Sequence, residues 1–164
     1  MESTVLTNPS SSGETTGATI KIAGSIETYV AEPKGKTVHK DTAILYLPDV
    51  LGIWQNSKLM ADQFAANGYY TVMPDLFNGD PLTLSRPEGF DLMKWLVEGS
   101  TGDNPHTLEA VEPIVEKSIK FLQKKGFKKI GAVGYCFVSL PRRFINWSIA
   151  DILNRAPNTL SASC

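Results

Sequence analysis

In Lys129-Ile-Gly-Ala-Val-Gly-Tyr-Cys-Phe-Val-Ser139 a short apolar run gives way to a glycine and then to a cysteine. Residues 130–133 are long enough for one buried strand. That strand ends on Gly134-Tyr135-Cys136-Phe137. A strand that stops at a glycine and then offers a nucleophilic side chain has the pattern of a nucleophile elbow. The chemistry requires that geometry. A tight turn lifts the thiol clear of the sheet, and the amide after it points at a developing oxyanion. The same residues also suit a buried cysteine closing an ordinary strand, since free cysteine packs as a small hydrophobe.

Upstream, residues 108–125 predict a helix with Val111, Ile114, Val115, Ile119 and Leu122 on its inner face. Lys120, Lys124 and Lys125 sit near its carboxyl end, where the dipole favours cations, and Gly126 stops it. Residues 90–97 predict a short amphipathic helix, and residues 76–89, with Pro81 and Pro87, a long irregular excursion. Residues 69–73 predict a strand closed by Pro74 and Asp75. Before it, Leu59, Met60, Phe64 and Ala65 have helical spacing, with Asn56 or Ser57 as cap and Asn67-Gly68 as stop. Residues 42–47 are a continuous apolar run, the mark of a strand covered on both faces, and residues 48–52 loop from its carboxyl end. Partial alternation over residues 18–31, broken at Gly24-Ser25, predicts an antiparallel hairpin.

Strand, helix, strand, excursion, helix, strand implies an α/β fold: a mostly parallel sheet with helices on both faces. Active sites in such sheets lie beyond the carboxyl ends of the strands. Asp49, Val50, Asp75 and Cys136 all fall at such ends. Asp49 and Asp75 each follow a proline and equally suit a turn; Asp75 reads as structural. The expected organisation is a disordered leader over residues 1–17, a partial core over 18–139, and a divergent helix and tail over 140–164.

The chain has 164 residues, 42% hydrophobic and 20% charged, with a net charge of -1. That balance gives no electrostatic reason to expect nucleic acid or an anionic membrane as partner. No apolar run approaches the ~20 residues that span a bilayer, and the amino terminus lacks the pattern of a secretory signal. Cys136 and Cys164 form neither a CxxC pair nor a metal-ligand cluster, so a reduced, cytoplasmic setting and no metal are expected.

Five segments in order carry a resemblance: Leu47-Pro-Asp-Val-Leu-Gly-Ile53, Asp62-Gln-Phe-Ala-Ala-Asn-Gly68, Pro74-Asp-Leu-Phe-Asn-Gly-Asp-Pro81, Arg86-Pro-Glu-Gly-Phe-Asp91 and Gly131-Ala-Val-Gly-Tyr-Cys-Phe137. Together they resemble the dienelactone hydrolase family, within the α/β-hydrolase fold, in its fungal form. The resemblance implies hydrolysis of small-molecule esters or lactones by a cysteine nucleophile, without metal or organic cofactor. Cys136 sits at the matching position. The resemblance gives the oxyanion to the backbone amides of Val50 and Phe137, and makes Asp49 a carboxylate that helps switch the thiol on. It also sets Arg86 near a segment that holds a substrate carboxylate. From the residue type alone, Arg86 reads more readily as solvated.

The resemblance covers residues 18–137 and stops abruptly, which suggests a truncated or mis-spliced reading frame and an incomplete α/β-hydrolase fold lacking its carboxyl-terminal strands. No histidine follows Cys136, and Asp151 is the one later carboxylate, so the triad acid and histidine are missing and impaired turnover is expected. His39 and His106 precede the nucleophile in predicted loops and read as solvated. Val138 stands where the family packs a glycine between strand and helix. The alternative is a catalytically dead homologue that binds a small ligand or nothing. A sheet ending at the elbow strand would leave an unpaired edge and an uncovered face, so self-association is expected.

Overall fold

Apolar runs and turn residues settle into strands and helices close to where the sequence predicts them. The structure, a computed structural model, describes residues 13–134. Its strands are β1 (Ala18–Ile22), β2 (Ile26–Ala31), β3 (Thr42–Leu47), β4 (Tyr70–Pro74) and β5 (Lys129–Gly134). Its helices are α1 (Gln55–Ala66), α2 (Leu92–Glu98) and α3 (Leu108–Lys124).

The strands form one sheet in the order β1-β2-β4-β3-β5. β2 runs antiparallel to both β1 and β4, while β3 is parallel to β4 and to β5. Every strand but β2 therefore points the same way, the mostly parallel arrangement expected. Leu45 lies opposite Val72, and Leu47 opposite Gly134. The carboxyl ends of β3, β4 and β5 thus share one rim.

Strand side chains alternate between faces, and each face has its own helical cover. Val30, Leu45, Leu47, Val72 and Ile130 belong to the cluster that holds the inner face of α3 and Trp95 of α2. Their neighbours Tyr29, Ala31, Tyr46 and Met73 belong to the other cluster, with Ala61 and Ala65 of α1. β4 is buried along its whole length, as a strand paired on both sides and covered on both faces should be. β5 pairs with β3 alone among the described residues, and residues 131–134 are half-buried.

Local details depart from expectation at the start of α1. Its cap is Trp54, not Asn56 or Ser57, and the Trp54 side chain makes no capping bond. The Trp54 carbonyl instead accepts from the Lys58 N–H at 3.0 Å. Ser57 is drawn into the buried face of the helix, so it is not available as a cap. At the other end of α1, Gly68 has φ +94, and an added Cβ would strike the Thr37 carbonyl, so only glycine suits the stop.

The approach to β1 is fastened to α1. Buried Asp62 accepts from the Tyr29 hydroxyl at 2.7 Å and from the Thr16 N–H at 2.7 Å. The Gly17 N–H donates to the Tyr29 oxygen at 2.8 Å. Burial first, and then the bond to Asp62, push the Tyr29 hydroxyl up to about 12. No helix among the described residues is long and apolar enough to cross a membrane.

Candidate active site

β3 leaves the sheet through buried Pro48 and turns at once over residues 49–52. The Gly52 N–H donates to the Asp49 carbonyl at 2.9 Å, and the Leu51 N–H donates to Asp49 Oδ1 at 2.9 Å. Gly52 has φ +66, in the left-handed region, and its ideal Cβ would come within 3.0 Å of Pro81 Cβ. Both the conformation and the space call for glycine. From the excursion after β4, the Leu82 N–H donates to the Val50 carbonyl at 2.8 Å.

These bonds aim one amide. The peptide group between Asp49 and Val50 is trans, so its carbonyl and its N–H point opposite ways. Its carbonyl is held by Gly52. Its N–H, that of Val50, donates to no group among the described residues. A fixed amide with an unused donor, at the carboxyl rim of a parallel sheet, can stabilise an oxyanion. One oxygen of Asp49 is taken up in making that turn.

β5 ends at Gly134, in register with Leu47, so it leaves the sheet beside the strand that feeds this turn. Cys136 and Phe137 follow it and lie outside the described residues, as do Val138 and Asp151. Asp75 is a loop organiser, as expected: Oδ1 accepts from the Phe77 N–H at 2.9 Å and Oδ2 from the Gly79 N–H at 2.6 Å. Arg86 is exposed, its guanidinium 5.9 Å from the centre of the Phe90 ring. No three or more histidine, cysteine or acidic side chains among the described residues come together as metal ligands.

The histidines correct the sequence reading. His39 is half-buried and stacks on Tyr69 with ring centres 4.1 Å apart. His106 is fully buried, not solvated. Phe77 and Trp95 converge on it, with ring centres 5.4 and 4.4 Å away. Its Nε2 lies 2.9 Å from Asp80 Oδ2, which also accepts from the Ser100 N–H at 2.8 Å. Burial would raise the Asp80 carboxyl, but the bonds from Ser100 and His106 outweigh it and hold the group below the usual carboxylate range. Sequence reasoning passed over this pair because its members are 26 residues apart. The one available signal was a histidine and a carboxylate each beside a proline, which is weak.

The dienelactone hydrolase family profile matches residues 26–139. Over 127 residues the chain is 42% identical to the hydrolase pyvD of Aspergillus violaceofuscus, covering 76% of this chain and 48% of that protein. Over 135 residues it is 38% identical to dienlactone hydrolase 1 of Gibberella moniliformis, again covering 76% of this chain and 48% of the relative. A solved dienelactone hydrolase-like promiscuous phosphotriesterase from metagenomic libraries superposes with a TM-score of 0.51 at 18% identity, over 76% of this chain and 51% of that one. That likeness concerns the fold: the described residues form part of a dienelactone hydrolase fold. The chain spans about half the length of the curated relatives it matches. With the match running from β2 through the elbow sequence, this chain belongs to the dienelactone hydrolase family.

Proposed function

We propose that this chain is by lineage a carboxylic ester or lactone hydrolase with Cys136 as its nucleophile, and that its turnover is impaired. One observation carries the reading. The turn after β3 holds the Asp49–Val50 peptide with its carbonyl engaged and its N–H unused among the described residues, at the rim where β5 leads toward Cys136.

In this scheme the Cys136 thiolate attacks the carbonyl carbon of a small ester or lactone. A carbon–sulfur bond forms and the carbonyl electron pair moves onto oxygen. The N–H groups of Val50 and Phe137 receive that oxyanion. Collapse expels the alkoxide, which takes a proton, and leaves a thioester. Water then cleaves the thioester, releasing the acid and returning the thiol. Asp49 Oδ1 is bound to the Leu51 N–H, which leaves Oδ2 as the oxygen to help activate the thiol. Arg86 is the candidate for a substrate carboxylate, reached by giving up its position over Phe90.

The catalytic core is residues 18–139, in a cytoplasmic, reducing setting that suits a free thiolate. The half-buried β5, unpaired on one side among the described residues, is the edge through which two copies would associate. Hydrolysis of an activated aryl ester, measured beside the Cys136→Ala variant, tests the assignment. Turnover lost in the variant supports it, and equal turnover overturns it.

A second reading, a catalytically inactive homologue, is favoured by where the histidines are spent. His39 is stacked on Tyr69 and His106 is bonded to Asp80. Losing the base of a triad typically costs several orders of magnitude in rate.

A further inference from the structure

We infer that His106 and Asp80 are positioning residues for the turn that presents the Val50 amide, acting through the Asp80-Pro81-Leu82 segment. The inference rests on the reading of Val50 as an oxyanion donor. Its physical chain is continuous. His106 is anchored by its own N–H, which donates to the Leu96 carbonyl at 2.8 Å, and by complete burial. Its Nε2 and the Ser100 N–H both donate to Asp80 Oδ2, at 2.9 and 2.8 Å. The next residue, Pro81, packs against Gly52, and the one after, Leu82, donates to the Val50 carbonyl at 2.8 Å. Asp80 thus fixes a three-residue clasp that closes on the turn at two points, Gly52 and Val50.

The imidazole itself argues for this role. His106 Nδ1 is buried with no partner among the described residues, which carries a standing cost. A phenyl ring would fill much the same space between Phe77 and Trp95 without that cost. What the imidazole adds is the Nε2 bond to Asp80.

Residue-resolved amide hydrogen exchange on the 164-residue chain tests it. In His106→Phe, the amides of Leu82 and Gly52 should exchange about tenfold faster, the scale of losing one charge-assisted hydrogen bond, while β3 and β4 keep their rates. His106→Gln, which restores a donor near the place of Nε2, should bring both amides back toward the original rates. Asp80→Asn, a smaller change of shape, should loosen the same two amides. Unchanged exchange at Leu82 and Gly52 in His106→Phe, equal acceleration throughout β3 and β4 in both variants, or no rescue by glutamine would each overturn the inference. Cys136→Ala should not move these rates. A chain that fails to hydrolyse esters through Cys136 therefore overturns the functional reading by a separate measurement.

Discussion

Leu82 donates its backbone N–H to the carbonyl of Val50 at 2.8 Å, and so ties the excursion after β4 to the turn after β3. The two strands are neighbours in the sheet, and their carboxyl ends share a rim. Their loops are therefore braced against each other at that rim. Within that brace the turn has little freedom, and the Val50 N–H, proposed as an oxyanion donor, would need no reorganisation during reaction.

Gly52→Ala should weaken this brace. It forces a side chain onto a backbone at φ +66 and brings its Cβ to 3.0 Å from Pro81. The strain should lower stability by about 1–2 kcal/mol. Urea unfolding should show a lower midpoint with an unchanged slope; a midpoint equal to that of the parent chain would contradict the account.

Tyr29→Phe removes the hydroxyl that donates to Asp62 and accepts from Gly17. The variant should lose about 1–3 kcal/mol, because it leaves one oxygen of buried Asp62 with one donor fewer. In the parent chain the folded Tyr29 pKa is raised from 10.0 to about 12. The folded state therefore holds this proton more tightly than the unfolded state. The stability tied to it is fully present below pH 10.0 and is lost as pH rises toward about 12. Unfolding followed across that window should show a steeper alkaline loss in the parent than in Tyr29→Phe.

At acid pH a part-buried contributor is Asp80. Its folded pKa lies below 3.8, so the stability it contributes is present above 3.8 and disappears as pH falls through the lower folded value. Asp80→Asn should lose about 1–3 kcal/mol at neutral pH. The gap between variant and parent should close as the parent is titrated below 3.8. A gap that stays constant through that range would mean that the carboxylate charge is not what Ser100 and His106 stabilise.

The strands of the core were legible because they are written locally. Residues 42–47 form an uninterrupted apolar run and become β3 with those bounds. Gly24-Ser25 breaks the alternation over residues 18–31, and β1 and β2 pair on either side of it. The inner face predicted for α3 is the face that is buried. The cap of α1 was not legible, since a tryptophan without a side-chain acceptor carries no capping signal. His106 was misread for a related reason. Its loop is polar in sequence, but Phe77 and Trp95, distant along the chain, close over it. At the candidate site, the place of Asp49 and Val50 just after a strand was legible. The bond from Leu82 that braces them joins loops far apart in sequence, and no local pattern encodes such a bond.

The central claim is that Cys136 is the nucleophile, and trapping its acyl-enzyme tests that most directly. If turnover is impaired as proposed, the chain treated with an activated aryl ester should retain the mass of one acyl group. Peptide mapping should assign that group to Cys136 and not to Cys164, and the Cys136→Ala variant should stay unmodified. An unmodified parent chain, or equal acylation at Cys164 and in the variant, would contradict the account.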